Sequence, residues 1–302
     1  MSRVKRVSED WRAQMGLIPF SLWGDALWCG QEVVREAPHE QAIRSLFPDP
    51  IPARGADLDT EADLVPEPHN RFDPRSIAVR VEGKVVGYLP RDDAHRYHPV
   101  LSELVAQGLQ PRVPCHLWVS EWEPADWEGR GTQGTAFHAS VAIALGQPHM
   151  LVPVNLPPPG SFHLLPPGSG IVVPGSEVHP DVLAPFFRPE GECWAYATMH
   201  AIEEEDSIQD RHRIVVEIRL DDEPVGRLSA RLSAEFLPAI HYLADMRAET
   251  AARVAVRGDR SASEVILYAA RSHDLPATWP DGLARSPVAS PQWHYWATKE
   301  AN

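Results

Sequence analysis

The most constraining feature of the chain is a strand, a tight turn and a returning strand within residues 77–89. In Ile77–Val81, apolar side chains alternate with small or charged ones, which is the period-two pattern of a strand with one buried face. Glu82-Gly83 predicts a hairpin turn, because glycine readily adopts the positive φ that such turns require. Gly87 in the returning strand predicts a bulge or the close approach of another backbone segment.

A polar turn, Asn70-Arg71-Phe72-Asp73-Pro74, precedes this hairpin. Together they resemble the HIRAN domain family, whose members carry a motif close to N-x-[YF]-D-x-x-A-[IV]-x-V, then a short turn and [VI]-G-[YH]-L. The resemblance covers residues 60–110 closely and residues 30–148 more loosely. The matching positions are Asn70, Phe72, Asp73, Ile77, Ala78, Val79, Val86, Gly87, Tyr88 and Leu89.

The resemblance implies a small β-barrel related to the OB fold. It also implies binding of the 3′-hydroxyl end of single-stranded DNA, as in family members that belong to fork-remodelling ATPases in DNA repair; no ATPase segment is recognisable here. By resemblance, Phe72 stacks on the terminal base, while Asn70 and Asp73 contact the sugar end. Stacking contributes about 1–3 kcal/mol per base. A carboxylate can accept a hydrogen bond from a 3′-hydroxyl and repels a 3′-phosphate, so Asp73 would discriminate between ends.

Other residues complete the predicted nucleic-acid site. Arg71 and Arg75 are expected to lie beside the phosphates. Family members that bind ends also use an aromatic and a basic residue on the first strand. The corresponding residues 31–36, QEVVRE, offer only Arg35 as the base and no aromatic. Tyr88, in the second hairpin strand, is expected on the same face. The turn also has a purely structural interpretation, in which Asn and Asp-Pro act as the common turn formers they are and Phe72 plugs the mouth of the barrel.

The second half of the chain repeats the first at an offset of about 139 residues. Constant spacing through a strand, a turn and a helix is typical of a duplicated unit. We therefore predict a second, degenerate HIRAN-like module. Arg80, Val86, Gly87, Leu89, Pro99 and Leu104 correspond to Arg219, Val225, Gly226, Leu228, Pro238 and Leu243.

The second copy lacks the motif, because Gln209, Arg211 and His212 replace Asn70, Phe72 and Asp73. Residues 203–251 hold twelve acidic and six basic residues, against six and seven in residues 64–112. Such an acidic module is expected to be structural or to contact protein. The alternative function for the whole chain is accordingly a protein-interaction or scaffolding role without DNA binding.

The predicted organisation is an N-terminal extension (1–29), a first module (30–148), a proline-rich linker (149–170), a second module (171–270) and a loosely ordered tail (271–302). The linker prediction rests on eight prolines in residues 148–175, which favour a stiff, extended chain. A helix is predicted from Pro99 to about Gln107, with Pro99 in its first turn and Gly108 after its end.

Composition limits the function. The 302 residues carry a net charge of −14, which argues against coating nucleic acid by charge alone and leaves room for a local contact to a strand end. Cys29, Cys115 and Cys193 show no CxxC spacing, and His95 and His98 do not make a convincing metal site. We expect no cofactor and no enzymatic activity, since no hydrolase, metalloprotease or nucleotide-binding motif is recognisable. The chain is expected to be soluble and cytoplasmic, without a membrane contact.

Overall fold

The chain folds into two compact units, Met1–Leu151 and Val152–Asn302. The structure, a computed structural model, describes residues 16–24, 28–52, 54–122, 136–206, 211–276 and 279–280. Each unit contains one curled seven-stranded sheet and short helices. The prediction of a mainly β protein made of two tandem small β-barrel modules is confirmed.

The first unit forms its sheet from residues between Ile18 and Ile143. Its strands are β1 (Ile18–Ser21), β2 (Gln31–Glu32), β3 (Ala56–Pro66), β4 (Ile77–Val81), β5 (Lys84–Tyr88), β6 (Leu109–Trp122) and β7 (Ala136–Ile143). Its helices are α1 (Glu40–Arg44) and α2 (Arg91–Ala106), and 3-10 turns cover Ala37–His39 and Pro148–Met150.

The sheet has the strand order β2-β7-β6-β3-β4-β5, and β1 adds to β6 in parallel. An antiparallel bridge between Val34 and Tyr88 then joins the two ends of this order. The Val34 amide donates to the Tyr88 carbonyl at 2.8 Å, and the Tyr88 amide donates to the Val34 carbonyl at 2.9 Å. We call this bridge, together with the flanking residues Val33 and Gly87, the closing seam.

Gly87 explains how the seam forms. A Cβ atom at this position would lie 2.5 Å from Val33 Cγ1 and 2.8 Å from the Val34 carbonyl oxygen. The predicted close approach is therefore present, and a bulge accompanies it between Val79 and Arg80 of β4. The predicted turn is present as well, with φ of 49° at Glu82 and 78° at Gly83.

The prediction that the helix begins at Pro99 is wrong, because α2 begins at Arg91 and Pro99 lies inside it. Proline disfavours a helix interior because it lacks an N–H and its ring crowds the preceding turn. Here packing outweighs that cost, since Ala94 and Tyr97 are buried before the proline and Leu101 after it. Gly108 follows the helix end with φ of 82°, as predicted.

The second unit repeats this arrangement. Its strands are β8 (Phe162–Leu164), β9 (Gly170–Val172), β10 (Glu192–Asp206), β11 (Arg211–Leu220), β12 (Glu223–Arg227), β13 (Glu249–Gly258) and β14 (Ser263–Tyr268). Its helices are α3 (Pro180–Leu183) and α4 (Ala230–Asp245), with 3-10 turns at Ser176–Val178 and Ala184–Phe186. The strand order β9-β14-β13-β10-β11-β12, with β8 parallel to β13, matches that of the first unit element by element.

The two units also share their irregular features. The second sheet has its bulge between Ile218 and Arg219, 139 residues after the first. Its Gly226 meets the preceding segment as closely as Gly87 does, since a Cβ atom would lie 2.5 Å from the Pro174 carbonyl oxygen. Shared bulges and shared close contacts support the duplication that the sequence predicted.

Three segments differ from the predicted organisation. Residues 18–21 of the predicted N-terminal extension form β1, and residues 162–164 of the predicted linker form β8. Ser272 of the predicted tail binds α4, since its amide donates to the Glu235 carbonyl at 2.9 Å. A proline-rich segment can still form an edge strand, because an edge strand uses only some of its backbone N–H groups for pairing. Residues 281–302 of the predicted tail lie outside the described residues.

Apolar side chains from the strands and the long helix fill each unit; Leu64, Ile77, Leu101, Leu117 and Ile143 are among the fully buried ones of the first. Within the part of the chain that the structure describes, none of the helices has the length and apolar composition that crossing a membrane requires.

The close contact at the seam predicts that one methyl group added at Gly87 destabilises the fold. We expect Gly87→Ala to lower the free energy of unfolding by about 1–3 kcal/mol, because the added Cβ overlaps Val33 and the Val34 backbone. Urea denaturation of the purified chain would measure the change. Gly170→Ala is the control, because the three atoms nearest to its added Cβ belong to the side chains of Ile266 and Tyr268, at 3.1–3.2 Å. Equal stability of Gly87→Ala and wild type would show that the seam does not require glycine.

Candidate functional site

The turn before β4 is built by two side chains that bind its own backbone. Asn70 Oδ1 accepts hydrogen bonds from the amides of Phe72 at 3.0 Å and Asp73 at 3.4 Å. Asp73 Oδ1 accepts one from the Arg75 amide at 2.9 Å. Asn70 Nδ2 donates to Glu67 Oε2 at 2.9 Å, which ties the turn to the end of β3. Asn70 and Asp73 therefore form the turn, as the structural interpretation predicts, but Phe72 does not plug the barrel mouth, since the residue is exposed.

This turn holds Phe72 in solvent, with 79% of the residue exposed. One neighbour is the Arg71 guanidinium, whose carbon lies 4.7 Å from the ring centroid. A large apolar ring held outside the core by a hydrogen-bonded turn provides a platform for stacking.

The other Asp73 oxygen faces the start of α2. His95 Nε2 lies 2.8 Å from Asp73 Oδ2, and Arg91 Nε lies 3.3 Å from the same oxygen. The pKa of Asp73 is lowered, first by the hydrogen bond from the Arg75 amide, then by that with His95, and also by the charge of Arg91. The carboxylate therefore stays ionised and holds two basic side chains at the turn.

A cavity of about 190 Å³ lies beside this cluster, where the closing seam meets the turn and the start of α2. It contains five of the seven residues that the sequence predicted for the site. Its lining is Val34, Arg35, Asn70, Phe72, Asp73, Ser76, Tyr88, Leu89, Arg91 and Ala94.

The remaining two predicted residues, Arg71 and Arg75, do not line the cavity. Arg71 reaches its edge through the Phe72 ring. Arg75 contributes its backbone amide to Asp73, while its charge acts on His98.

Arg91 is the residue that sequence reasoning missed. Arg91 directly follows the matched VGYL-P segment, which could have indicated that it belongs to the site. Only the structure shows that the first turn of α2 lines the cavity. Its side chain is 75% exposed, so most of the guanidinium remains accessible while Asp73 holds it in place.

Arg35 occupies a strained backbone position. Its φ is 67°, in the left-handed region that non-glycine residues rarely adopt. The corresponding residue after the seam in the second unit is Gly175, with φ of 86°. Such a conformation costs a non-glycine residue on the order of 1–3 kcal/mol and is typical of functional sites. The first unit thus places an exposed guanidinium where the second has glycine.

Tyr88 lies on the predicted face and lines the cavity. Its ring centroid is 5.8 Å from that of His39, and burial, followed by the charge of Glu67, raises the pKa of its hydroxyl. Tyr88 is therefore neutral at physiological pH and contributes an aromatic wall to the cavity.

The second unit has a cavity of about 280 Å³ at the same place, lined by Pro174, Gly175, His179, Glu217, Pro224, Gly226 and Arg227. Arg227, at the position of Tyr88, pairs with Glu217 at 3.2 Å and Glu204 at 3.5 Å. Glu217 is buried and pairs with Arg219 as well, at 2.8 Å. Acidic partners thus neutralise the cation of this cavity. Of the residues that replace the motif, Gln209 lies outside the described part of the chain.

The described residues contain no group of three or more His, Cys, Asp or Glu side chains arranged to hold a metal ion. The histidines singled out by the sequence have other contacts. His95 binds Asp73 at 2.8 Å, and His98 lies 3.3 Å from Ser102 Oγ. Both histidines lie in α2, which continues through Pro99.

Comparison with known proteins found no matching family model, no matching curated protein and no matching solved structure.

The Asp73 cluster predicts a shifted titration. A folded-state pKa below the ordinary value of 3.8 means that ionised Asp73 stabilises the fold above the unfolded-state pKa, and that this stabilisation is lost as the pH falls through the folded-state pKa. A carboxyl ¹³C NMR titration should give a midpoint for Asp73 below 3.8. In His95→Gln the midpoint should rise but stay below 3.8, because the Arg75 amide remains the largest cause. A midpoint at or above 3.8 in the wild type would contradict the geometry.

Proposed function

We propose that the first unit binds single-stranded DNA at a strand end, the function that its resemblance to the HIRAN family implies. The 3′-hydroxyl terminus is the end that this resemblance suggests. The cavity beside Phe72 is the proposed site, and Phe72, Arg35, Arg91 and Tyr88 are the proposed contacts.

The exposed Phe72 ring supports stacking on a terminal base. Because the ring is exposed, it contributes little to the hydrophobic core. It lines a cavity that also contains Arg35 and Arg91. Base–aromatic stacking tolerates any sequence because every base has a π face. Arg71 beside the ring adds a cation at the same rim.

The strained Arg35 is the observation that carries the proposal. Glycine would relieve the backbone at this position, as Gly175 does in the second unit. Instead an arginine is present, which lines the cavity and whose charge acts on the Tyr88 hydroxyl. Arg91 supplies a second guanidinium there. Two guanidinium groups beside an aromatic platform are suited to a nucleotide with its phosphate.

The overall charge of −14 fits contact with an end better than contact along a strand. The basic side chains are local, and Arg80, a base of the same hairpin, lies 3.8 Å from Glu67. A continuous phosphate-binding track is therefore not part of the proposal.

The proposal is tested by fluorescence anisotropy with short, internally labelled single strands of oligo-dT at low salt. We expect Phe72→Ala to weaken binding about 5- to 150-fold, corresponding to the loss of about 1–3 kcal/mol of stacking. Tyr242→Ala is the matched control, since it removes an aromatic that is 48% exposed on the second unit. Its affinity should equal that of the wild type.

Arg35→Gly gives an independent measurement of the same site. We expect weaker DNA binding with an unfolding free energy equal to or above that of the wild type, because glycine accepts the left-handed conformation. Absence of wild-type binding, or binding unchanged in both Phe72→Ala and Arg35→Gly, would reject the proposal and favour the protein-interaction alternative.

A further inference from the structure

The number of free hydrogen-bond acceptors in the site affects whether it binds a terminal hydroxyl or a terminal phosphate. A carboxylate offers about four lone-pair positions. Asp73 already accepts from the Arg75 amide, contacts His95 Nε2 and forms an ion pair with Arg91. Asn70 Oδ1 is engaged by two backbone amides. The acceptors that could receive a terminal hydroxyl proton are therefore largely occupied.

Donors and positive charge predominate among the groups that line the cavity. The guanidinium groups of Arg35 and Arg91 face a single carboxylate, that of Asp73, so the ionised side chains of the lining sum to one positive charge. Glu67, whose charge acts on Tyr88, does not itself line the cavity; it is bound to Asn70 Nδ2 and close to Arg80.

Ser76 adds a hydroxyl that lacks a hydrogen-bond partner. Its Oγ is inaccessible to solvent, has no partner among the described residues, and belongs to a residue that lines the cavity. A hydroxyl can both donate and accept, and this one is inaccessible to solvent, so Ser76 does not distinguish a phosphate from a hydroxyl. The preference therefore depends on the two guanidinium groups.

We propose that the cavity takes a terminal phosphate monoester in preference to a terminal hydroxyl. This inference rests on the proposed function for the nucleic acid itself and departs from the end group that the family resemblance suggests. A terminal phosphate carries a charge of about −1.5 to −2 at neutral pH and three strong acceptor oxygens, which match the donors of Arg35 and Arg91. Asp73 then serves to hold Arg91 and His95 in place.

The experiment compares three internally labelled oligo-dT strands of equal length by fluorescence anisotropy. One has hydroxyls at both ends, one has a 3′-phosphate, and one has a 5′-phosphate. We expect at least one phosphorylated strand to bind about tenfold more tightly than the hydroxyl strand. The two phosphorylated strands distinguish which terminus enters the cavity.

Variants of the two relevant arginines make the result specific. In Arg91→Gln the preference for the phosphorylated strand should fall to about onefold. Arg96→Gln, which removes an exposed guanidinium outside the cavity on the same helix, should retain it. Arg35→Gly provides a second test that does not endanger folding and should also reduce the preference.

The possible outcomes separate this inference from the proposed function. Measurable binding of the hydroxyl strand at equal or higher affinity than both phosphorylated strands would overturn the inference and leave DNA-end binding intact. A phosphate preference that persists undiminished in both Arg91→Gln and Arg35→Gly would also overturn it. Failure of all three strands to bind would reject the proposed function itself.

Discussion

The hydrogen-bonded bridge between Val34 and Tyr88 is the contact on which the site depends. It closes the first sheet, and it can form only because Gly87 lets the backbone of Val33 and Val34 approach. The residue that follows Val34 is Arg35, and the residues that follow Tyr88 lead directly into α2 and Arg91. The same bridge thus brings both arginines to the turn that exposes Phe72.

The second unit shows how one scaffold can hold different chemistry. Its seam keeps the glycine, at Gly226, but Pro174 replaces Val34 and has no N–H, so one hydrogen bond remains, from the Arg227 amide to the Pro174 carbonyl. Gly175 removes the guanidinium of Arg35, and Glu217 and Glu204 neutralise Arg227. Function resides in the side chains placed on a fold and not in the fold itself. Duplication followed by this divergence gives the chain one basic cavity and one internally neutralised cavity.

The sequence predicted the parts of the fold that depend on local chemistry. The hairpin strand β4, the Glu82-Gly83 turn and the repeat at constant spacing each follow from the sequence, and all appear in the structure. The prediction that β4 has only one buried face is wrong, because Ala78 on the opposite face is fully buried as well. The start of α2 was missed because tertiary packing outweighs the helix-breaking tendency of Pro99. Strands β1 and β8 were missed because each has only three or four residues and is held by pairing with a strand far away in sequence.

The candidate site was predictable in part. The turn motif identified Asn70, Phe72 and Asp73, and the structure places all three at one cavity. The partners of Asp73 could not be predicted, because His95 lies 22 residues away and its approach depends on where α2 begins. Likewise, Arg35 was recognised only as a nearby base, since its left-handed conformation becomes visible only once the seam of each unit is known.

We propose nucleic-acid binding at the first seam and not at the second. A ¹H–¹⁵N NMR titration of the intact chain with single-stranded oligo-dT carrying a terminal phosphate tests both parts of this proposal. We expect saturable shifts of the amides of Arg35, Phe72, Tyr88 and Arg91, with the corresponding amides of Gly175 and Arg227 unchanged. Shifts of equal size at both seams, or shifts confined to other surfaces, would contradict it.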